Sequence, residues 1–255
     1  MRVTVLIANY NYGKYLKKAV DSCLSQTVKP NAICIVDDAS TDNSWQVISE
    51  LCNVNLRENV SVPTPKGDTI VKIGHIDDVD IIGIKSPGNF GPSTARNLGI
   101  QVTLDATDIY AILDADDEML PNKIEECLKP FEDDKVGVVY ANYYHINSQT
   151  GVSIKEIKEP YDRLRLYESC IVHSGSLIRA EYLKMVKEND GFYDIKMRVC
   201  EDYELWIRLA KVCTFYHIPL FLTNVLIHTQ NSTFSVNKQI WEQNWNYINQ
   251  KHFSS

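Results

Sequence analysis

The sequence lacks three things: a run of Lys and Arg, an apolar stretch of membrane length, and closely paired cysteines. Its 33 Asp and Glu exceed its 26 Lys and Arg, which gives a formal net charge of -7. Nucleic-acid-binding proteins normally carry basic patches, so this balance argues against a nucleic-acid partner and suits a small cationic cofactor better. No stretch approaches the ~20 apolar residues of a membrane span, and the apolar run after Met1 is too short for a signal peptide. We therefore expect a cytoplasmic protein without a transmembrane segment; peripheral attachment to a membrane stays open.

The arrangement of the cysteines argues against two kinds of site. The seven cysteines are odd in number and widely scattered, and no CxxC pair indicates a zinc or redox site. We expect them to be reduced residues of the core or of helices. The length of 255 residues, with 44% apolar and 23% charged residues, fits one large α/β domain without disorder.

Strand and helix patterns alternate along the first part of the chain. Val3 to Ala8 is a continuous apolar run, typical of a strand buried on both faces, and apolar residues at helical spacing follow it. Ala32 to Asp38 predicts a second strand that ends in two acids, again followed by a helix. Such alternation predicts a mostly parallel sheet with right-handed crossovers, whose ligands bind at the carboxyl ends of the strands.

The alternation breaks between Arg57 and Ser86. There "TIVKIGHI" and "VDIIGIKS" predict two short strands joined by "DDVD", as a hairpin or an edge insertion. A helix then follows with Pro92 in its first turn, and "IYAILDADD", "MLPNKIEECLKPF" and "VGVVYANYYHIN" predict a strand, a helix and a strand. After Gly151, polar and aromatic residues mix, which suggests an elaborated half that closes over a site.

Three carboxylates, Asp114, Asp116 and Asp117, stand where the strand "YAIL" should end. Carboxylates at a strand end are hard oxygen ligands that can hold Mg²⁺ or Mn²⁺ and leave positions free for water and phosphates. The alternative is a solvated turn in which Asp117 or Glu118 interacts with the N-terminal dipole of the next helix. The triplet alone does not separate the two interpretations.

The end of the second predicted strand, "VDDASTD", is acidic as well. A carboxylate of Asp37 or Asp38 can accept a hydrogen bond from a base N–H or a ribose hydroxyl, whereas turn or cap chemistry readily explains Asp42. Two acidic strand ends of one parallel sheet point into the same crevice. Coincidence is therefore the weaker explanation.

Two later segments add candidates that are ambiguous alone. "NFGPSTARNLG" places Arg96 one turn into a helix, where it could bind a pyrophosphate or simply lie on a solvated face. "CEDYELWIRLA" opens a helix with Glu201 and Asp202, which the dipole stabilises whatever the function, although one could be a general base. His228 could be a metal or phosphate ligand, but a lone His is more often structural.

In this order, "VTVLIANYNYGKYLKKAVDSCLSQ", "IVDDASTDNS", "NFGPSTARNLGI", "AILDADDEM" and "GFYDIKMRVCEDYELWIRLA" resemble the family 2 glycosyltransferases over roughly Val3 to His228. The resemblance implies an α/β fold of the GT-A type, with a Rossmann-like, mostly parallel central sheet flanked by helices. It also implies a nucleotide-sugar site. By that resemblance, eight residues bind the base, the ribose and the diphosphate of the nucleotide, and one of them lies inside the DxD motif. These residues are Ala8, Asn9, Tyr10, Asp37, Asp38, Arg96, Asp114 and Ala115.

The resemblance further implies the metal and the base. The DxD motif falls on Asp114 and Asp116, with Asp116 the more direct ligand of Mn²⁺ or Mg²⁺, and His228 is a further candidate ligand. The catalytic base falls on Asp202, with Glu201 beside it. Ser174 and Gly175 are candidates for the acceptor side, since their segment often lines it in the family.

The implied reaction is metal-dependent, inverting transfer of a single sugar from a nucleoside-diphosphate sugar, in particular a UDP-sugar. The acceptor is a hydroxyl of a glycan, a lipid-linked molecule or another compound. The QxxRW pattern of processive synthases is absent after the "ED" motif, which favours transfer of single sugars.

Two other functions stay open. A nucleotidyltransferase that makes sugar nucleotides usually has a Gly-rich, basic loop after its first strand, where this chain has "ANYNYGKY" with one glycine. A non-catalytic domain that binds a nucleotide sugar or a glycan is disfavoured by the intact set of Asp114, Asp116 and Asp202.

The expected domain organisation is one GT-A domain over residues 1–230 and a C-terminal helical extension over 231–255. The domain divides into a nucleotide-binding half, 1–120, and an acceptor half, 121–230. The insertion at about 57–86 could be a partner or acceptor surface.

Overall fold

The computed structural model describes residues 1–64, 67–229, 231 and 235–254. The strands in that part of the chain are β1 (Val3–Asn9), β2 (Ala32–Asp37), β3 (Glu58–Thr64), β4 (Gly67–Ile76), β5 (Val79–Lys85), β6 (Ile109–Asp114), β7 (Glu118–Met119), β8 (Val136–Asn147), β9 (Ser153–Glu156), β10 (Leu177–Arg179) and β11 (Thr214–Ile227). The α-helices are α1 (Gly13–Leu24), α2 (Ser44–Asn53), α3 (Pro92–Thr103), α4 (Lys123–Leu128), α5 (Arg163–Glu168), α6 (Ala180–Met185), α7 (Glu201–Leu209) and α8 (Lys238–His252).

These strands form one sheet in the order β3-β4-β5-β2-β1-β6-β10-β8-β11-β7, with β9 paired to β8. Its centre, β5-β2-β1-β6, is parallel, and β11 is parallel to β8. The antiparallel strand β10 lies between β6 and β8. The predicted fold class is confirmed: helices flank a Rossmann-like centre, and the antiparallel pairs lie outside that centre.

The central strands are apolar throughout because both of their faces are covered. Leu6 belongs to one hydrophobic core, to which α3 and α7 contribute, whereas Val5 and Ile7 belong to a second core on the opposite face with α1 and α2. Such double coverage is typical of parallel strands.

The register brings three strand ends to one edge of the sheet. Asn9, at the end of β1, pairs with Asp37, at the end of β2. Ala8 pairs with Asp114, at the end of β6. The two acidic strand ends therefore lie at the same carboxyl edge, where ligands of open α/β sheets bind.

Residues 57–86 contribute more to the sheet than their pattern predicts. The predicted hairpin is present as β4 and β5, and β5 also pairs in parallel with β2. β3 was not predicted and pairs with β4 at the outer edge. Its two valines, Val60 and Val62, are both exposed, so no buried face marked this strand in the sequence.

The helix predicted over "MLPNKIEECLKPF" is shorter than its apolar pattern suggests. α4 ends at Leu128 and continues only as a 3₁₀ turn, Lys129–Glu132. Pro130 contributes to this ending, because a proline lacks the N–H that would continue the helical hydrogen-bond ladder.

The last helix, α8, is attached to the segment that precedes α7. Asn244 Nδ2 donates to the carbonyl of Val199 at 2.8 Å, and the Tyr247 hydroxyl donates to Asp194 Oδ2 at 2.8 Å. A domain boundary at residue 230 stays a prediction.

Two further expectations concern cysteines and membranes. All seven cysteines are free, in agreement with their scatter in the sequence. Within the described ranges, no helix has both the length and the apolarity needed to cross a membrane.

Candidate active site

Asp114 ends β6 and lies at the centre of the site. Its Oδ1 accepts a hydrogen bond from Arg96 Nη2 at 2.9 Å, and its Oδ2 accepts one from the Ser174 hydroxyl at 3.4 Å. Arg96 also donates from Nη1 to Glu201 Oε1 at 2.5 Å. The guanidinium therefore links the acidic strand end to the first turn of α7.

Asp116 is half-buried and is bound by two residues from the far end of the chain. Its Oδ2 lies 2.9 Å from His228 Nε2 and accepts a hydrogen bond from Asn231 Nδ2 at 3.0 Å. The His228 ring stacks on Tyr15 with their centroids 5.0 Å apart. The structure thus brings His228 to the acidic strand end, as the sequence interpretation requires of a metal ligand.

Asp117 does not start a helix, so the alternative interpretation of a solvated turn is wrong for this residue. It is buried, and its Oδ1 accepts a hydrogen bond from the backbone N–H of Leu226 at 3.0 Å. Burial, and then the charges of Asp116 and Asp114, raise the pKa of Asp117 well above its ordinary value of 3.8. The next α-helix begins only at Lys123.

The two aspartates at the end of β2 accept hydrogen bonds from neighbouring groups of the protein. Asp37 is fully buried and accepts a hydrogen bond from Asn9 Nδ2 at 2.9 Å. Asp38 accepts hydrogen bonds from the backbone N–H groups of Phe90 and Gly91, the latter at 2.8 Å. Asp38 therefore fixes the loop that leads into α3, while direct contact of either carboxylate with a nucleotide stays a prediction.

Asp202 is placed by an unusual turn. The residue before the motif, Cys200, has a φ of 61°, the left-handed region that non-glycine residues adopt rarely. Burial and the charge of Glu201 raise the pKa of Asp202 to about 7. Because Glu201 is bound to Arg96 whereas Asp202 lines a cavity, Asp202 is the better candidate for a general base.

A cavity of about 440 Å³, which we call the first-strand cavity, opens at the end of β1. Of the residues predicted to bind the nucleotide, all except Asp37 line it: Ala8, Asn9, Tyr10, Asp38, Arg96, Asp114 and Ala115. Tyr12 and Arg198 also line this cavity, and neither was predicted as a site residue.

A second cavity, of about 770 Å³, lies between the end of β6 and the hairpin of β8 and β9; we call it the flap cavity. Asp202 and Ser174 line it, whereas Gly175 does not. Instead, the carbonyl of Gly175 accepts a hydrogen bond from the buried Lys123 Nζ at 2.7 Å. Asp114 and Asp116 line both cavities, so the acidic strand end lies where the two cavities meet.

The donor groups at this junction suit a divalent cation. The carboxylates of Asp114 and Asp116 are hard oxygen ligands, and imidazole nitrogen, here from His228, is a ligand that Mn²⁺ also accepts. Burial and the nearby charge of Asp114 raise the pKa of Asp116. The residues present therefore fit Mn²⁺ or Mg²⁺.

Another acidic cluster, Glu188, Asp194 and Glu204, has its carboxylate oxygens within 4.8 Å of one another. Lys251 Nζ lies 2.6, 2.9 and 2.9 Å from these three carboxylates. The ammonium of Lys251 already supplies the positive charge, so we assign this cluster to the attachment of α8 and not to a metal.

Asn231 was missed by the sequence interpretation. Besides its bond to Asp116, its Oδ1 accepts a hydrogen bond from the backbone N–H of His228 at 2.5 Å. An asparagine three residues after a candidate histidine is a weak signal, because only the fold brings both residues to a strand end more than a hundred positions earlier.

Comparison with known proteins agrees with this geometry. The profile of the family described as "Glycosyl transferase family 2" matches residues 4–187. The chondroitin synthase of Pasteurella multocida (strain Pm70) is 30% identical over 235 residues, which are 91% of this chain and 21% of that protein. An uncharacterized glycosyltransferase of Methanocaldococcus jannaschii is 29% identical over 265 residues, which are 98% of this chain and 81% of that protein. The chain thus spans about a fifth of the Pasteurella synthase, 21% of its length.

Solved structures show the same fold. S. aureus TarS 1-349 in complex with UDP-GlcNAc has a TM-score of 0.70 and 15% identity, over 100% of this chain and 68% of that chain. Its complex with UDP has a TM-score of 0.66 and 16% identity, over 90% of this chain and 61% of that chain. At these identities the likeness concerns the fold alone.

Proposed function

The chain belongs to glycosyl transferase family 2, and from this premise we propose that it is a metal-dependent, inverting glycosyltransferase. It would move a single sugar from a nucleoside-diphosphate sugar, in particular a UDP-sugar, to an acceptor hydroxyl. One observation supports this proposal above the others. The acidic strand end lies between two cavities, one lined by the predicted nucleotide-binding residues and the other by the predicted base, Asp202.

The first-strand cavity is proposed to take the nucleotide. Its wall combines the end of β1 with Asp38 and the exposed Arg198, and Arg96 faces it from α3. The UDP and UDP-GlcNAc complexes of TarS support a uridine nucleotide for this fold. Arg96 would bring positive charge to the diphosphate while keeping Asp114 and Glu201 in place.

Asp114, Asp116 and His228 are the residues that would hold Mn²⁺ or Mg²⁺. Such an ion, when bound, neutralises the charge that develops on a leaving diphosphate. The protein groups around these ligands orient them: Arg96 and Ser174 bind Asp114, and Asn231 binds Asp116. Partners of this kind fix the geometry of ligating side chains.

Asp202 is proposed to take the proton of the acceptor hydroxyl. The acceptor oxygen would form a bond to the anomeric carbon as the bond from that carbon to the diphosphate breaks on the opposite side. This single displacement inverts the anomeric configuration and needs no covalent intermediate on the protein. A carboxylate with a pKa of about 7 is well matched to such a transfer near neutral pH.

Donor hydrolysis and binding separate this proposal from its rivals. With Mn²⁺ present, we expect binding and slow hydrolysis of a UDP-sugar in preference to GDP- and dTDP-sugars, measured by calorimetry and by release of UDP. A nucleotidyltransferase would instead make the sugar nucleotide from a nucleoside triphosphate and a sugar phosphate, and a non-catalytic domain would bind without turnover. Absence of nucleotide binding with either Mn²⁺ or Mg²⁺ would show the proposal to be wrong.

The raised pKa of Asp202 predicts the pH dependence of transfer. Because protonation rises as the pH falls below the pKa of about 7, the fraction of Asp202 able to accept a proton falls with it. We expect kcat/KM to drop about tenfold per pH unit below that value and to level off above it. Steady-state rates across the neutral range check this, with UDP binding measured at each pH as the control. An inflection near the ordinary value of 3.8 would contradict the assignment.

A further inference from the structure

The flap cavity contains a cation that the proposed reaction does not use. The titratable side chains that line it include four aspartates, two histidines and one lysine, Lys158. Among the residues that the structure describes, the Lys158 ammonium has no ion-pair partner. One of the histidines, His173, stays neutral, because burial and then the nearby Lys123 and Lys158 lower its pKa well below 6.5.

Hydrogen bonds to buried side chains hold the backbone of Lys158 in place. Its backbone N–H donates at 2.8 Å to Oδ1 of Asn142, a side chain that is only 3% exposed. The same oxygen lies 2.9 Å from His217 Nε2. The next carbonyl, of Glu159, accepts a hydrogen bond from the Tyr140 hydroxyl at 2.7 Å. Buried side chains of β8 thus fix the segment that carries Lys158.

The wall beside Lys158 is aromatic and apolar. The Tyr143 ring lies 4.1 Å from the His173 ring and 5.1 Å from the His145 ring, centroid to centroid. Val152 and Ile154, at the edge of the cavity, are 56% and 62% exposed. Such a wall suits the apolar face of a sugar ring. The volume of about 770 Å³ lies within the range of about 300–1,000 Å³ typical of small-molecule sites.

We propose that the flap cavity binds an acceptor saccharide carrying an anionic group, a carboxylate or a phosphate, and that Lys158 binds this group. This inference rests on the proposed function, since it names the acceptor of the same site. A neutral acceptor would cover the Lys158 ammonium without pairing it, whereas an anion forms a charge-assisted hydrogen bond with it.

Lys158 and the proposed base, Asp202, both line the flap cavity together with Cys170, so an acceptor that fills the cavity meets both. Burial and then the charge of Asp202 raise the pKa of the Cys170 thiol, while the charge of Lys158 lowers it. Both charges therefore act on one side chain of the cavity wall.

Matched pairs of acceptors test the proposal. Binding of methyl β-D-glucuronide is compared with methyl β-D-glucoside, and glucose 6-phosphate with glucose, by NMR titration in the presence of UDP and Mg²⁺. The proteins are the wild type, Lys158→Met, Lys158→Arg and a control, Lys155→Met. Lys155 lies on the same β9 hairpin, but its ammonium is over the Phe221 ring and outside the cavity.

We expect at least one anionic probe to bind the wild type about tenfold more tightly than its neutral partner. Lys158→Met should lose this preference, whereas Lys158→Arg and Lys155→Met should keep it, with UDP binding and melting temperature unchanged in all four proteins. Preference for the glucuronide identifies a carboxylate, and preference for the glucose phosphate identifies a phosphate. If UDP binds but neither anion is preferred, or if Lys158→Met keeps the preference, the inference is overturned. If the wild type does not bind UDP, the proposed function itself fails.

Discussion

Replacing Asp202 with Asn is expected to lower kcat for sugar transfer about 10²-fold or more, the usual scale for losing a general base. Asn has nearly the same shape and keeps an oxygen that can accept the Tyr203 N–H, which Asp202 Oδ1 binds at 2.8 Å. Asp202 does not line the first-strand cavity, so binding of UDP with Mn²⁺ should stay nearly unchanged. Steady-state transfer and calorimetric UDP binding measure the two quantities separately.

Glu201→Gln is the matched comparison for this variant. Glu201 is bound to Arg96 and is absent from the cavity that contains Asp202, so its loss should act through the position of Arg96. Asp105→Asn, a change at an exposed carboxylate, is the control and should leave both UDP binding and transfer unchanged. Equal loss of UDP binding and of transfer in Asp202→Asn would contradict the role of a base.

Asp116→Asn is expected to weaken UDP binding in the presence of Mn²⁺ about 10²-fold, while binding in the presence of a chelator stays as in the wild type. The variant removes the carboxylate charge but keeps an oxygen that can bind Asn231 and His228, so the surrounding structure should persist. The effect should therefore depend on the metal alone. Calorimetric titrations of UDP with Mn²⁺ and with EDTA measure the difference.

The adjacent carboxylate gives the control. Asp117 accepts a hydrogen bond from the backbone N–H of Leu226, and the side-chain oxygen of Asn can keep this bond, so Asp117→Asn should leave the strand end in place. We expect it to keep most of the metal dependence. If Asp116→Asn and the wild type respond equally to the chelator, Asp116 is not the metal ligand.

The centre of the sheet could be predicted because each sequence signal for it lies within a short segment of the chain. The apolar runs of β1, β2 and β6 are long enough to show burial, and the acidic ends of β2 and β6 follow their runs directly in the sequence. The parallel register then necessarily brings Asp37 and Asp114 to one edge. Strands of two to four residues, such as β7, β9 and β10, are too short for periodicity to show.

The partners of the site residues could not be predicted in the same way. Asp38 is predicted to bind the nucleotide, and in the structure its carboxylate also accepts hydrogen bonds from Phe90 and Gly91, which no local pattern connects with it. Asn231 and Lys158 reach the site through the path of the chain after β11 and β9. Their positions are set by tertiary packing, which a single sequence does not encode as a pattern.

The attachment of α8 has a consequence for the order in which the protein is made. Its residues Asn244 and Tyr247 hold Val199 and Asp194, just before the strained turn at Cys200 that presents Asp202. Synthesis proceeds from the N-terminus, and the nucleotide-binding strands emerge from the ribosome long before α8 does. A nascent chain therefore lacks two things until α8 has been made: the part of the first-strand cavity wall that contains Ser235 and Ile240, and the contacts that hold the turn before Asp202.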